Sequence, residues 1–134
     1  MRVLLDTNVV SVILRGKEPP ELTLRLAERP PEDLYISTIT AQEVLFGFRR
    51  KQGVEHLEDR FERLLDRYEV LPFDLAAARV CADIAATLAT QGKPLELADL
   101  EIAAIALANN LTLITGNDRH FRRIPGLKVR NWLA

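Results

Sequence analysis

Three acidic residues and one amide stand where a folded chain could use them for chemistry. Asp6 ends a short apolar run that is typical of a buried strand, and Asn117 follows a second such run and a glycine. Glu43 and Asp99 lie near the beginnings of two predicted helices. Open parallel sheets gather their functional groups just beyond the carboxyl ends of the strands. If Asp6, Glu43, Asp99 and one of Asn117 or Asp118 converge at such an edge, at least three carboxylates share one site.

A pocket that held Asp6, Glu43 and Asp99 together would place like charges side by side, which raises carboxyl pKa values or drives the groups apart. A bound divalent cation resolves that conflict. Oxygen ligands favour Mg²⁺ or Mn²⁺ over zinc, and this chain has only one cysteine and two histidines. Such a site activates water against a phosphate. The predicted chemistry is hydrolysis of a phosphodiester bond.

Asp6 and Glu43 also have local explanations, which the sequence leaves open. An aspartate at the end of a strand suits a turn or a helix N-cap. Thr38 or Thr40 can cap the helix that carries Glu43, and Glu43 follows Thr40 at the spacing of a capping box. In that arrangement the glutamate points to solvent and has no chemical role.

The other polar positions have similar alternatives. The stretch over residues 102–108 is wholly apolar, which indicates a helix buried on all sides. Asp99 precedes it and suits the positive end of that helix dipole. Asn117 and Asp118 follow a glycine, as residues of a plain turn commonly do.

The elements that must position these residues alternate along the chain. Apolar runs predict strands at residues 2–5, 34–37, 69–71, 111–115 and 127–130. Helical spacing and capping residues predict helices over residues 9–14, 20–27, 40–51, 54–67, 75–90 and 94–108. This alternation is typical of an α/β protein with a parallel sheet and helices on both faces.

Length and composition predict one globular domain over residues 1–134, with 48% hydrophobic and 28% charged residues. The lone cysteine, Cys81, excludes an internal disulfide and multi-cysteine metal sites, and is expected to be a small buried side chain. The apolar runs are too short for a membrane span or a signal peptide. We therefore expect a cytoplasmic protein without a membrane segment.

Four stretches of the chain resemble the PIN-domain ribonucleases and, among them, the VapC-type toxins of bacterial and archaeal toxin–antitoxin pairs. They cover residues 3–8, 37–44, 98–106 and 113–121, in the family's order. The resemblance implies a three-layer α/β/α fold around a five-stranded parallel sheet. It also implies a Mg²⁺- or Mn²⁺-dependent endoribonuclease that acts as a toxin, a homodimer, and a VapB-type antitoxin that blocks the cleft.

The same resemblance implies roles for individual residues. Asp6 and Asp99 would bind the metal, and Glu43 would bind a metal or position the attacking water. The fourth position is open between Asn117 and Asp118, and Asn117, acting through a water molecule, is the preferred residue.

The C-terminal stretch differs in charge from the rest of the chain. The net charge is −1, yet residues 119–134 contain basic residues and no acid. The first three, Arg119, Arg122 and Arg123, directly follow the predicted site and would hold RNA phosphates on either side of the cut. An ordinary solvated surface is the alternative.

Two other functions stay open from the sequence. A receiver-like or phosphatase-like phosphotransfer domain would use Asp6 as its phosphate acceptor. However, the stretch from Asp6 to Asn8 lacks the second acid, two residues on, that haloacid-dehalogenase phosphatases carry. A non-catalytic RNA- or protein-binding module would use its acids only to accept an arginine from a partner.

Overall fold

Five short parallel strands form the centre of the molecule. The structure is a computed structural model that describes residues 1–134. The strands are β1 (Val3–Leu5), β2 (Leu34–Ser37), β3 (Glu69–Leu71), β4 (Thr112–Ile114) and β5 (Val129–Arg130). They are hydrogen-bonded in the order β3-β2-β1-β4-β5, and every pair is parallel. The prediction of an α/β fold with a five-stranded parallel sheet is confirmed.

Seven helices connect the strands. They are α1 (Thr7–Leu14), α2 (Pro20–Ala27), α3 (Thr38–Arg49), α4 (Glu55–Arg67), α5 (Leu75–Thr90), α6 (Leu97–Ala108) and α7 (Asp118–Phe121), with a short 3-10 helix at Pro31–Asp33. None of these helices combines the length and the apolar composition that crossing a bilayer requires.

The helices cover both faces of the sheet, and the strand β1 shows how. Successive side chains of a strand point to opposite faces. Leu4 accordingly packs in a buried cluster with residues of α5 and α6, whereas Val3 and Leu5 pack in a second cluster with residues of α1, α2 and α4. The three-layer arrangement is confirmed. Cys81 of α5 is buried in the first cluster, as expected.

Some predicted boundaries are wrong. Ser37, rather than Thr38 or Thr40, is the N-cap of α3, because it ends β2 in an extended conformation and its hydroxyl accepts from the backbone N–H of Thr40 at 3.0 Å. The capping box proposed for Glu43 therefore does not form. Helix α6 begins at Leu97, three residues after Pro94, and the turn predicted at Asp118 is the start of α7.

Candidate active site at the carboxyl edge of the sheet

The carboxyl ends of β1 and β4 lie side by side, since the strands are parallel neighbours with Leu5 opposite Ile114. The next residues are Asp6 and Thr115, and the Thr115 hydroxyl donates a hydrogen bond of 2.7 Å to Asp6 Oδ2. Asp6 Oδ1 accepts from the backbone N–H of Thr7 at 2.8 Å, so that Asp6 is the N-cap of α1. Asp6 is only 4% exposed. Each of its carboxylate oxygens is thus held by a group that the fold fixes.

Burial raises the pKa of Asp6 above the ordinary aspartate value. The hydrogen bonds from Thr115 and Thr7 oppose this increase because they stabilise the charged form, whereas the charge of Glu43 adds to it. The fold therefore holds the Asp6 carboxylate at an electrostatic cost that a nearby cation would offset.

Glu43 reaches the same edge from α3. The Thr7 hydroxyl donates to Glu43 Oε1 at 2.5 Å and lies 3.0 Å from the Thr40 hydroxyl. Because Thr7 gives its only hydroxyl proton to the carboxylate, Thr40 is the donor in the second contact. Glu43 itself is exposed. Thr7 thereby connects an acid on α3 to the strand end that carries Asp6.

Asp99 comes from the opposite side of the sheet, in the first turn of the buried helix α6. Burial raises the pKa of Asp99, and the charges of Asp6, Glu43 and Glu96 raise it further. His120 acts in the other direction, and no hydrogen bond contributes. The carboxylates of Asp6, Glu43 and Asp99, hereafter the acid cluster, are therefore close enough to repel one another.

Asn117 and Asp118 differ in what their side chains contact. Asp118 accepts hydrogen bonds from Asn131 at 3.2 Å and from Arg122, which also forms an ion pair with it at 3.1 Å. The bond from Asn131 is the main reason why the pKa of Asp118 is below its usual value. Asn117 is exposed, and its backbone N–H donates to the Thr115 hydroxyl at 3.0 Å while its side chain has no partner.

The donor set of this edge suits a hard cation, although the side chains do not form a closed ligand shell. No three Asp, Glu, His or Cys side chains of the chain are arranged tightly enough to hold an ion as they stand. The available donors are carboxylate, hydroxyl and amide oxygens, which Mg²⁺ and Mn²⁺ prefer. Asp99 is half-buried and accepts no hydrogen bond. An oxygen-coordinated divalent ion with bound waters fits the residues present.

Comparison with known proteins agrees with this geometry. The PIN domain family matches residues 3–127. This chain belongs to the PIN-domain family. It is 32% identical over 132 residues to the tRNA(fMet)-specific endonuclease VapC of Shigella flexneri, with 98% of each chain covered.

Solved structures of similar PIN domains extend the comparison. The DNA-bound VapBC structure from Salmonella typhimurium aligns with a TM-score of 0.90 at 32% identity, over 98% of both chains. The VapBC-1 structure from nontypeable Haemophilus influenzae aligns with a TM-score of 0.89 at 32% identity, over the whole of both chains. The likeness therefore covers the whole sheet and the edge that carries the acid cluster.

Several residues that position this PIN domain's site have no clear signal in the sequence. Asn8 Oδ1 accepts from the backbone N–H of Gly116 at 3.3 Å, and Asn131 is the donor to Asp118. A Cβ at Gly116 would lie 2.9 Å from Leu133 Cδ1, so a side chain there would have to displace the end of the Leu133 side chain. Asn131 belongs to no helix or strand, and no periodic pattern could have identified it.

The three predicted RNA-binding arginines of the PIN domain are engaged to different degrees. Arg119 is exposed and takes part in none of the chain's four ion pairs. Arg122 is paired with Asp118, and Arg123 donates to the backbone carbonyls of Lys93 at 2.8 Å and His120 at 3.3 Å. Arg119 is thus the arginine of this group that is most available to a ligand.

Proposed function

We propose that this protein is an endoribonuclease that hydrolyses RNA phosphodiester bonds with the help of a divalent cation. The observation that carries the proposal is the meeting of Asp6, Glu43 and Asp99 from three separate elements at one edge of the sheet, where burial and mutual repulsion raise the pKa of Asp6 and of Asp99. Membership of the PIN-domain family and the nuclease names of similar proteins support it.

Asp6 and Asp99 would hold the cation, Mg²⁺ in the first place and Mn²⁺ as the alternative. Bound there, the cation would neutralise charge on the scissile phosphate and assist attack by water. Glu43 is the exposed acid and would bind the cation or orient the attacking water through its free oxygen. Asn117 is preferred to Asp118 as the fourth position, since its side chain has no partner, whereas the charge of Asp118 is already balanced by the ion pair with Arg122.

Residues after the site would hold the rest of the RNA. Arg119 is the first candidate because it is exposed and unpaired, and Arg122 and Arg123 would take part if they exchange their present partners for phosphate. Phosphate contacts of this kind position a strand without reading its sequence.

We further propose that the protein is the toxin of a toxin–antitoxin pair, with a VapB-type antitoxin as its protein partner and a homodimer as its oligomeric state. The support is that the similar solved structures are VapBC assemblies, one of them bound to DNA. The single domain over residues 1–134 and the cytoplasmic location stay predictions of the same proposal.

A phosphotransfer domain that uses Asp6 as its phosphate acceptor is disfavoured, because the family match over residues 3–127 is to the PIN domain. The residues directly after Asp6 also lack the second acid that a phosphatase of that kind carries. A binding module without catalysis would bind RNA without cleaving it, and a cleavage assay distinguishes it from a ribonuclease.

The test is cleavage of RNA by the purified chain with Mg²⁺ or Mn²⁺ and with EDTA. We expect cleavage that requires the metal and falls by about 10³-fold or more in Asp99→Asn, because several kcal/mol of charge stabilisation are lost. Asp83→Asn, the same change at an exposed position of α5, is the matched control and keeps full activity. Cleavage that EDTA leaves unchanged, or an Asp99→Asn protein as active as the control, would overturn the proposal.

A further inference from the structure

A groove leads away from the acid cluster between α1, α3 and α4. Its volume is about 220 Å³, and eleven residues line it. Thr7, the first residue of α1, and Glu43 of the acid cluster line one end of the groove, and Arg15 and Lys51, just beyond the C-terminal ends of α1 and α3, line the other. The groove is thus continuous with the site at which RNA is proposed to be cut.

The walls and the ends of the groove differ in chemistry. Apolar side chains of Leu14, Val44, Phe48 and Leu57 line its sides. Arg15 is exposed and makes only a hydrogen bond of 3.2 Å to the backbone carbonyl of Ser11. Lys51 is exposed as well, and neither basic residue belongs to any of the four ion pairs of the chain. A flat apolar group with negative charge at the end near Arg15 and Lys51 would complement this groove.

The absence of a side chain at Gly47 keeps the groove open. Gly47 lies inside α3 with an ordinary helical backbone, and a Cβ built on it would meet no atom within 4 Å. A glycine in the interior of a helix costs about 1 kcal/mol relative to alanine. The local structure does not require this glycine, and a side chain at position 47 would occupy space in the groove that Gly47 lines.

We propose that this groove binds one nucleobase of the RNA substrate, next to the scissile phosphate. The base lies between the apolar walls, the Ser11 hydroxyl is available to its polar edge, and Arg15 and Lys51 hold the following phosphates. The inference rests on the proposed ribonuclease function and adds to it a site that reads the nucleotide beside the cut. Single-stranded RNA is commonly recognised through unstacked bases of this kind.

The dimensions of the groove favour a base over a protein segment. Its volume is below the range of about 300–1,000 Å³ that is usual for drug-sized ligands, which suits a single ring system. Its acidic end opens onto the catalytic edge, through which the RNA must pass. Two basic residues without acidic partners at the other end match the next phosphates of the same strand.

The experiment is a scan with short RNA substrates in which each nucleotide around the cut is replaced in turn by an abasic one. We expect kcat/KM of the unaltered chain to fall by about 5- to 150-fold at one position next to the cut, the fold-change that corresponds to base stacking. A uniform profile, with no position more sensitive than the others, would overturn the inference while leaving the ribonuclease function intact.

Gly47→Leu tests the location of the site. We expect it to lower kcat/KM on intact RNA, chiefly through KM, and to abolish the sensitivity to the abasic position. Ala89→Leu adds the same side chain to an exposed position of α5 and should behave as wild type. A Gly47→Leu protein that cleaves as wild type does, or one that loses only its binding to an antitoxin, would show that the groove does not bind a nucleobase of the substrate. Either result would overturn the inference.

Two further outcomes are distinguishable. Failure of Gly47→Leu to fold, seen as loss of its unfolding transition, leaves the abasic scan of the unaltered chain, in which a uniform profile would still overturn the inference. Absence of metal-dependent cleavage by the unaltered chain would overturn the proposed function, and the base-binding groove with it.

Discussion

Asp6 and Glu43 lie at the same edge of the sheet, yet the fold holds them in different ways. Asp6 follows a central strand, is 4% exposed and has both oxygens hydrogen-bonded. Glu43 stands on a helix, is exposed and receives one hydrogen bond, from the Thr7 hydroxyl. The sheet fixes the Asp6 carboxylate before any ligand binds, whereas Glu43 keeps one carboxylate oxygen free to turn towards a bound ligand.

This difference predicts separate consequences for stability and for catalysis. Substitutions around Asp6 remove interactions within the buried edge of the sheet and should affect folding as well as activity. Substitutions at Glu43 remove a group that is largely in solvent, and should affect activity alone.

Glu43→Gln should lower the rate of RNA cleavage by about 10²–10⁴-fold, the range for losing a residue that moves or orients a proton. Its free energy of unfolding should stay within about 0.5 kcal/mol of wild type, as is usual for exposed positions. Cleavage assays and denaturant unfolding measure the two quantities. Glu62→Gln, at an exposed position of α4, is the control. A clear loss of stability in Glu43→Gln would contradict the contrast with Asp6.

Thr115→Val should lower the free energy of unfolding by about 1–3 kcal/mol, because it leaves the buried Asp6 carboxylate without one of its donors. Since that donor lowers the pKa of Asp6, the pKa should rise further, and the acid limb of the pH–activity profile should move to higher pH. Thr112→Val is the matched control, a buried threonine in the same sheet that donates to no carboxylate. Equal effects of the two substitutions would mean that the Thr115 hydroxyl does not support Asp6.

Removal of the metal should reveal the repulsion within the acid cluster. The pKa of Asp99 is raised in the fold, so the folded chain binds its proton more tightly than the unfolded chain does, and protonation adds stability as the pH falls. Asp99→Asn should therefore be more stable than the wild type at neutral pH in EDTA. Because Asp99 is partly exposed and screened, the difference should stay below about 1 kcal/mol. It should disappear only as the pH falls below the ordinary aspartate value of 3.8, where the unfolded chain is protonated as well.

Thermal unfolding at several pH values measures this difference, and added Mg²⁺ provides the contrast. An ion that binds only the folded state at 100 times its Kd stabilises by about 2.7 kcal/mol, and Asp99→Asn should lose that gain. A wild type that is more stable than Asp99→Asn in EDTA would contradict a cluster of uncompensated charges.

Local patterns predicted much of the fold. The helix predicted over residues 75–90 is α5, and Asp74 caps it through Oδ1, which accepts from the backbone N–H of Ala77 at 2.9 Å. The predicted boundaries were wrong where the adjacent part of the chain determines how an element begins. Ser37 replaced the predicted threonine cap because the helix begins directly where β2 ends, and α7 formed where turn chemistry alone suggested a loop.

The sequence by itself determined which residues could do the chemistry. An apolar run that stops at an aspartate and an apolar helix that opens with one are local features, and they identified Asp6 and Asp99 without any tertiary contact. Only the tertiary structure decided what surrounds them. The Thr115 hydroxyl meets Asp6 across 109 residues, and the Thr7 hydroxyl meets Glu43 across 36. Such contacts depend on which strands become neighbours in the sheet, and the spacing of residues along the chain carries no information about that order.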